Sequence, residues 1–324
     1  MMLIKKPVEK IVVGVCTRRR PLLLTQCLDS IIPLPAHPDY SFDIMVIEND
    51  EAPRSESIVI SARARSPHTI HYHHEPVLGI PFARNRFLEE ALLLSADWLA
   101  FIDDDETAEP DWLNELFHTV QSLEADVIQG RVVYHYPPED KWATLLATNE
   151  KQNSRPHSKA RKTASTNNVI FTSSLVSSSG LGMRFDTGLV FSGGSDSDFF
   201  NRAFQQGAKI HYSAQAVVHE TVPLERCTLA YLFERSARTR AAAFYMDKKN
   251  LGRSDALRKH TRRFLQSLLQ AIGYLLRALF WLLPNAKKSR ELYLRGVLKI
   301  ANCYGGVLGL CGKLLSPYKK IQGY

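Results

Sequence analysis

Residues 98–106 read Trp98-Leu99-Ala100-Phe101-Ile102-Asp103-Asp104-Asp105-Glu106, an apolar run that stops abruptly in four acids. A short continuous apolar run bounded by charge predicts a strand buried on both faces, as in a parallel sheet covered by helices. Downstream, Pro110 opens a stretch with Trp112, Leu116 and Val120 at helical spacing. The same succession stands twice upstream. Ile11–Val15 runs into Cys16-Thr17-Arg18-Arg19-Arg20, and then Leu24, Leu28 and Ile31 mark one face of a helix from Pro21 to Ile32. Phe42–Ile47 ends in Glu48-Asn49-Asp50-Glu51; a candidate helix over residues 58–64 and a candidate strand at Ile70–His74 follow it. A long helix from Pro81 to Ser95 through Ala83, Phe87, Ala91 and Leu94 precedes residue 98. Strand, polar loop and helix in repeated succession predict an α/β fold of βαβ units with a largely parallel sheet. Ligands of such sheets bind beyond the carboxyl ends of the strands, so Thr17–Arg20, Glu48–Glu51 and Asp103–Asp105 are expected on one rim.

Further along, Val127–Tyr134 and Val169–Thr172 read as strands, with an aperiodic basic loop over residues 150–166 between them. Phe191-Ser192-Gly193-Gly194-Ser195-Asp196-Ser197-Asp198 leads into a helix around Phe199–Gln206, with Gly207 as its C-cap, and Lys209–Tyr212 and Ala216–His219 close the pattern as strands. No internal repeat is present.

The 324 residues are 45% hydrophobic and 23% charged, a globular composition that excludes disordered, collagen-like and disulfide-scaffold chains. Cys16, Cys27, Cys227, Cys303 and Cys311 are too scattered for a zinc or redox motif and read as reduced thiols of a cytoplasmic protein. The first ten residues lack the apolar stretch of a signal peptide. The net charge of +8 is divided unevenly: residues 1–250 hold 27 Lys and Arg against 31 Asp and Glu, residues 251–324 hold 14 against 2. The chain therefore divides into an acidic body, 1–250, and a basic tail, 251–324, that suggests contact with phosphates. The tail is also apolar. Along Phe264–Leu283 and the Arg263 that precedes it, Arg263, Gln266, Gln270, Tyr274 and Arg277 form one narrow polar stripe, and Val297–Leu315 repeats the pattern with Lys299, Asn302, Gly306, Gly309 and Lys313. Helices lying on an anionic membrane, a membrane-spanning or re-entrant hairpin, and helices packed on the body all fit that pattern; Arg277 in mid-span weighs against the second. Nothing in the tail resembles a stacking platform for nucleic acid.

Three adjacent aspartates repel one another unless a cation neutralises them, and hard oxygen ligands suit Mg²⁺ or Mn²⁺. An acidic turn favouring the following helix N-terminus accounts for them equally simply. Arg84, in Gly79-Ile80-Pro81-Phe82-Ala83-Arg84-Asn85, stands where it could meet a phosphate or an aspartate, or serve as a structural ion pair. Asp196 and Asp198 follow two glycines that let backbone approach a ligand closely, and could otherwise cap a helix.

Taken in order, VVGVCTRRRP, FDIMVIENDE, GIPFARNRFLEEA, WLAFIDDDE, FSGGSDSDFF and VVHETVP, across residues 10–225, resemble family 2 glycosyltransferases, most of all the subgroup of succinoglycan-type exopolysaccharide glucosyltransferases. The resemblance implies a GT-A fold, Rossmann-like with a mostly parallel central sheet flanked by helices, over residues 1–250. Residues 251–324 then form a helical membrane-associating region. It places Thr17, Arg19, Glu48, Asp50, Arg84, Asn85, Asp103 and Asp104 with a nucleotide-sugar donor, a UDP-sugar first of all. It places Asp103 and Asp105, with His219, on a divalent cation. Asp196 falls at the general base, with Asp198 as the alternative, because the chain has Ser195-Asp196 where the family usually has Glu-Asp. The implied activity is inverting, metal-dependent transfer to a lipid-linked or polysaccharide acceptor at the cytoplasmic face of a bacterial inner membrane. A sugar-phosphate nucleotidyltransferase, which would need a glycine-rich phosphate loop absent from Gly14–Pro21, and a non-catalytic nucleotide-sugar-binding protein are the alternatives.

Overall fold

The computed structural model describes residues 8–137, 142–146, 156–190 and 193–313. Residues 150–155 of the basic loop, Phe191-Ser192 of the glycine motif and the last two residues of the Val297–Leu315 segment lie outside them. The first half follows the strand–loop–helix reading closely: β1 (Glu9–Thr17), α1 (Pro21–Ile31), β2 (Tyr40–Glu48), α2 (Glu56–Arg63), β3 (Ile70–His74), α3 (Ile80–Leu93) and β4 (Trp98–Asp103). Beyond the aspartates come β5 (Glu106–Ala108), α4 (Trp112–Leu123), β6 (Val127–His135), a short helix α5 over residues 142–146, and β7 (Asn168–Thr172). The chain continues through α6 (Ser195–Gln205), β8 (Ile210–Thr221), α7 (Leu224–Cys227), α8 (Leu229–Leu251), α9 (Arg253–Phe280) and α10 (Ala286–Leu310).

One eight-stranded sheet, in the order β3-β2-β1-β4-β7-β6-β8-β5, organises the body. Its first four strands are parallel, with Cys16 beside Ile47 and Asp103 in register. The second half is mixed, since β7 runs antiparallel to both β4 and β6, and β5 antiparallel to β8. Lys209–Tyr212 and Ala216–His219 belong to one strand rather than two. β8 pairs with β6 in parallel and breaks register between Gln129 and Arg131, so the intervening residues interrupt the alternation seen in sequence.

Both faces of the sheet are covered. Ile11, Val13, Val15, Ile44, Val46, Ala100 and Ile102 point to one side and pack with α1, α2 and α4, where Trp112 is fully buried. Val12, Met45, Ile47, Leu99 and Phe101 point to the other and pack with Phe87 of α3 and Phe199 and Phe200 of α6. Strands buried on two faces account for the unbroken apolar runs. Gly14 lets α3 sit close: a Cβ there would stand 2.5 Å from the Phe87 ring.

The tail forms helices with an inverted arrangement. α9 buries Ala256, His260, Ser267, Ala271 and Ala278, and turns Leu269, Leu276, Leu279 and Phe280 outward, each more than three-fifths exposed. α10 buries Ser289, Gly305, Gly306 and Gly309 and exposes Tyr304, Val307 and Leu310. Among the described residues no helix is long and apolar enough to cross a membrane. α10 reaches α8 through glycines, since a Cβ on Gly305 would fall 2.1 Å from the Ala237 carbonyl oxygen.

Candidate active site

The carboxyl ends of β1 and β4 are adjacent strands in register, so Thr17 and the three aspartates meet there although more than 80 residues separate them. The Thr17 hydroxyl donates to the Asp104 carboxylate at 2.8 Å. Arg20, at the start of α1, donates to Asp104 at 2.8 Å and to Asp105 at 3.2 Å. From the far side Arg226 of α7 reaches Asp105 at 3.3 Å and Glu220, at the end of β8, at 2.8 Å. Two arginines thus neutralise two of the three aspartates and one further acid. Asp103 differs: its carboxylate accepts no hydrogen bond and enters no salt bridge among the described residues. Its backbone N–H donates to the buried Glu106 at 3.0 Å.

Burial pushes the Asp103 carboxyl up to about 7, and the neighbouring Asp105 adds to the shift while Arg84 opposes it. Burial likewise raises Asp104 to about 6, against the pull of Arg20. Glu220 rises to about 7 through burial and the charge of Asp105. Glu106 is held well above the usual carboxylate range by burial and by Asp103. Such a set resists ionising fully unless positive charge is added, which is the condition a cation site meets.

These groups line a cleft of about 550 Å³ that also takes in Arg84, Asp196, Tyr134 and Tyr136, and the α8 residues Tyr231, Arg235 and Arg238. Gly79, at φ 139°, turns the chain into α3; a Cβ there would also collide with the Val190 side chain at 2.1 Å. The turn delivers Arg84, one helical turn on, to the cleft. Arg84 donates to the Ser195 hydroxyl at 3.0 Å, with its guanidinium 5.6 Å from the centre of the Phe185 ring. The serine standing in place of the usual glutamate thereby ties α3 to the first turn of α6. Asp196 follows it in the cleft wall, and its carboxylate accepts the Ser197 N–H at 2.7 Å.

Thr17, Arg84, Asp103, Asp104, Asp105 and Asp196 are therefore gathered in one cleft. Six other expected residues stand elsewhere. Glu48 is fully buried and accepts from the Arg54 and Ser55 backbone N–H groups, the Ser55 hydroxyl and the Tyr72 hydroxyl, which leaves it no face toward a ligand. Asp50, also fully buried, is a hub for Arg18, Arg19 and Arg54. Arg19, in the left-handed conformation at φ 54°, turns toward Asp50 and Glu51 rather than into the cleft. Asn85 clamps the Phe185 backbone with both ends of its amide, at 2.8 and 3.0 Å. Asp198 is buried against Arg202 at 2.8 Å, away from the cleft. His219 has its ring nitrogens on His135 at 2.8 Å and Glu109 at 2.9 Å, beside a separate cavity of about 300 Å³. It does not join Asp103. Among the described residues no three His, Cys, Asp or Glu side chains gather as a metal cluster.

Arg18, Arg20, Glu220 and Arg226 line the cleft without having been singled out. The triple arginine and the Glu-Thr-Val-Pro after His219 were visible in sequence, but no local signal pairs Arg20 or Arg226 with aspartates 85 and 121 residues away.

Comparison with known proteins agrees with this architecture. The sequence model of Glycosyl transferase family 2 matches residues 12–181, and that of Glycosyl transferase family group 2 matches residues 98–299. The succinoglycan biosynthesis protein ExoM of Rhizobium meliloti (strain 1021) is 33% identical over 304 residues, 92% of this chain and 93% of that protein. The crystal structure of S. aureus TarS 1-349 superposes with a TM-score of 0.52 at 12% identity, covering 94% of this chain and 92% of that one. The same TarS fragment in complex with UDP-GlcNAc gives a TM-score of 0.51 at 15% identity over the same shares. At those identities the likeness is one of fold, an α/β GT-A fold with C-terminal helices. With a family model covering more than half its length and a relative one-third identical over nine-tenths of it, the chain belongs to glycosyl transferase family 2 and is a glycosyltransferase.

Proposed function

We propose that the chain transfers a sugar, with inversion, from a nucleotide sugar (a UDP-sugar before others) to a lipid-linked or polysaccharide acceptor during synthesis of a bacterial cell-surface glycan. The observation that carries this reading is the single cleft in which Arg84, Asp103 and Asp196 face one another's space. The curated relative acts in succinoglycan biosynthesis and the TarS fragment was crystallised with UDP-GlcNAc, which supports the donor and product classes.

The donor set fits a divalent cation that takes few protein ligands. Asp103 is unengaged, Asp105 lies two residues on, and Mg²⁺ or Mn²⁺ commonly completes its shell with phosphate and water. When bound by Asp103 and Asp105 it would offset the charge that develops on the departing nucleoside diphosphate. His219 is no part of this set. Arg84, anchored on Ser195, orients the diphosphate by charge-assisted hydrogen bonds. Asp196 takes the proton of the acceptor hydroxyl as that oxygen attacks the anomeric carbon from the face opposite the leaving group. The C1–O bond forms as the bond to the diphosphate breaks, through a centre of oxocarbenium character, so an α-linked donor gives a β-glycoside.

The outward leucines of α9, bordered by the exposed Lys287, Lys288 and Arg290, support a helical layer lying on an anionic membrane, here the cytoplasmic face of the inner membrane. The test is a screen of labelled nucleotide sugars with membrane extract and Mn²⁺, repeated with Asp196→Asn and Asp198→Asn. Asp196→Asn is expected to lose at least a thousandfold in transfer while still binding UDP. Asp198→Asn is expected to lose stability first. Near-normal turnover by Asp196→Asn would overturn the assignment.

A further inference from the structure

Beyond Asp103 the floor of the cleft continues onto β7. The sheet order sets β1, β4 and β7 side by side, and because β7 runs antiparallel its amino end reaches the rim where β1 and β4 finish. The last β4–β7 pair is Ile102 with Asn168, so one step farther Asp103 and Asn167 leave the ladder together. Asn167 donates to one oxygen of Glu106 at 3.2 Å, and the backbone N–H of Asp103 donates to the other at 3.0 Å. Ser165, Thr166 and Asn167 accordingly line the same cleft as Asp103, Arg84 and Asp196.

Thr166 stands out in this segment. It is 1% exposed, and its hydroxyl has no hydrogen-bond partner among the described residues. A buried hydroxyl is normally paired, because leaving it unpaired costs the desolvation of that group. Its neighbours hold it still. The buried Gln129 of β6 accepts the Ser165 N–H through its side-chain oxygen and donates to the Asn168 carbonyl at 2.7 Å, so one glutamine grips the chain on both sides of Thr166. The Asn168 amide is spent in turn on the Trp112 ring N–H and on the Arg131 and Ala216 carbonyls, each at 2.9 Å. A hydroxyl on backbone braced in this way cannot reach a partner by shifting the chain.

The base lies on the same side. The Thr163 hydroxyl donates to the Ser197 carbonyl at 3.2 Å, which ties the segment to the first turn of α6. Phe171 of β7 packs against Phe199 and Phe200 of that helix, with ring centres 5.9 and 5.6 Å apart. Asp196 therefore belongs to the β7 end of the rim, whereas Arg18 and Asn49 line the cleft at the β1 and β2 end. A donor whose diphosphate meets Arg84 and Asp103, and whose reacting carbon meets Asp196, points its sugar toward β7 and its nucleoside toward β1.

We propose that Thr166 is a specificity-determining contact for the donor sugar: its hydroxyl pairs with one hydroxyl of the transferred sugar, and Gln129 is the positioning residue that fixes it there. This rests on the transferase reading above. A sugar hydroxyl both donates and accepts, so it satisfies the threonine whichever way the proton points. A site that buries a polar group for such a bond rejects the analogue lacking the hydroxyl, since the group is then left unpaired. Thr166 takes no part in bond making.

Titration calorimetry of the full-length protein with Mn²⁺ tests this, with UDP, UDP-glucose, UDP-galactose and UDP-N-acetylglucosamine as probes. For the sugar nucleotide that wild type binds best, Thr166→Val is expected to weaken binding by about fivefold or more, while UDP affinity changes by less than about twofold. Thr166→Ser, which keeps the hydroxyl, is expected to recover most of the loss. Relieved of a buried unpaired hydroxyl, Thr166→Val is expected to melt no lower than wild type. Among single-deoxy forms of that sugar nucleotide, one is expected to bind wild type as weakly as Thr166→Val binds the parent, and Thr166→Val is expected not to tell the two apart. Equal loss for UDP and the sugar nucleotide, additive losses with every deoxy form, or no loss at all would overturn the contact, as would a wild type that binds UDP but none of these sugar nucleotides. A wild-type protein that does not bind UDP would overturn the donor reading, and this inference with it.

Discussion

Glu48 separates two roles that look alike in sequence, a nucleotide contact and a buried brace. Its side chain accepts four hydrogen bonds: Oε2 takes the Arg54 N–H at 2.8 Å, the Ser55 N–H at 2.9 Å and the Tyr72 hydroxyl at 2.6 Å, and Oε1 takes the Ser55 hydroxyl at 2.9 Å. The substitution Glu48→Gln keeps the shape and removes the charge. The new NH₂ group falls at the Oε1 position, where the Ser55 hydroxyl can turn and accept from it. The three bonds at Oε2 remain but lose charge assistance, at roughly 1 kcal/mol each. A loss of about 2–3 kcal/mol follows, partly offset because a buried charge is removed. With a urea slope of roughly 3 kcal/mol/M, the unfolding midpoint is expected to fall by about 1 M. UDP affinity of the folded protein, measured by calorimetry in the same buffer without urea, is expected to stay within about threefold. Unchanged stability (within about 0.5 kcal/mol) combined with a tenfold loss of UDP affinity would refute the brace and restore Glu48 as a ligand contact.

Two further outcomes follow from the same geometry. Burial holds protons on Asp103 and Glu220 up to about pH 7 and on Asp104 up to about 6, whereas an unfolded chain releases them near pH 4. Between those values the folded state binds more protons than the unfolded one. The stabilising contribution of the three groups is therefore complete below about pH 4 and is lost as pH rises through 6 to 7. The melting temperature of the ligand-free protein should accordingly fall between pH 5 and 8, and Asp103→Asn should flatten the slope; a melting temperature that rises across that range contradicts the desolvated cluster. In the tail, a methyl group at Gly305 meets the Ala237 carbonyl oxygen, a backbone atom that no rotamer change can move, while one at Gly306 meets nothing within 4 Å. Gly305→Ala should cost about 1–3 kcal/mol by forcing α8 and α10 apart, and Gly306→Ala should gain up to about 1 kcal/mol from helix propensity, both read by denaturant unfolding. Equal effects would mean that the α8–α10 contact is absent.

The parallel half of the sheet was legible because strands buried on both faces leave unbroken apolar runs, and Ile11–Val15, Ile44–Ile47 and Trp98–Ile102 each carry that mark. The antiparallel insertion of β7 between β4 and β6 was not, because strand order is decided by pairing partners rather than by the run itself. β5 escaped notice at three residues, too short for any period, although its pairing with β8 sets His219 opposite Thr107. Glu48, Asp50 and Asp103 look alike in sequence, each an acid at the end of an apolar strand. The structure divides them: Asp103 is left open, while Glu48 and Asp50 are consumed by partners such as Ser55, Tyr72 and Arg19. Burial and partner geometry make that division, and neither is written in the spacing of charges. The tail was readable as amphipathic, but which face turns inward depends on the glycines and alanines that let α8 and α10 close on each other.

The claim on which the account rests is that Asp103 and Arg84 hold one bound donor and that Asp196 stands across its reacting carbon from them. Anomalous diffraction from crystals grown with UDP and Mn²⁺ tests it directly. The account predicts a manganese peak within ligand distance of the Asp103 carboxylate, with the diphosphate on its Arg84 side and Asp196 facing open space beyond it. A peak between His219 and Glu109, or a nucleotide seated away from the Asp103 cleft, would contradict it.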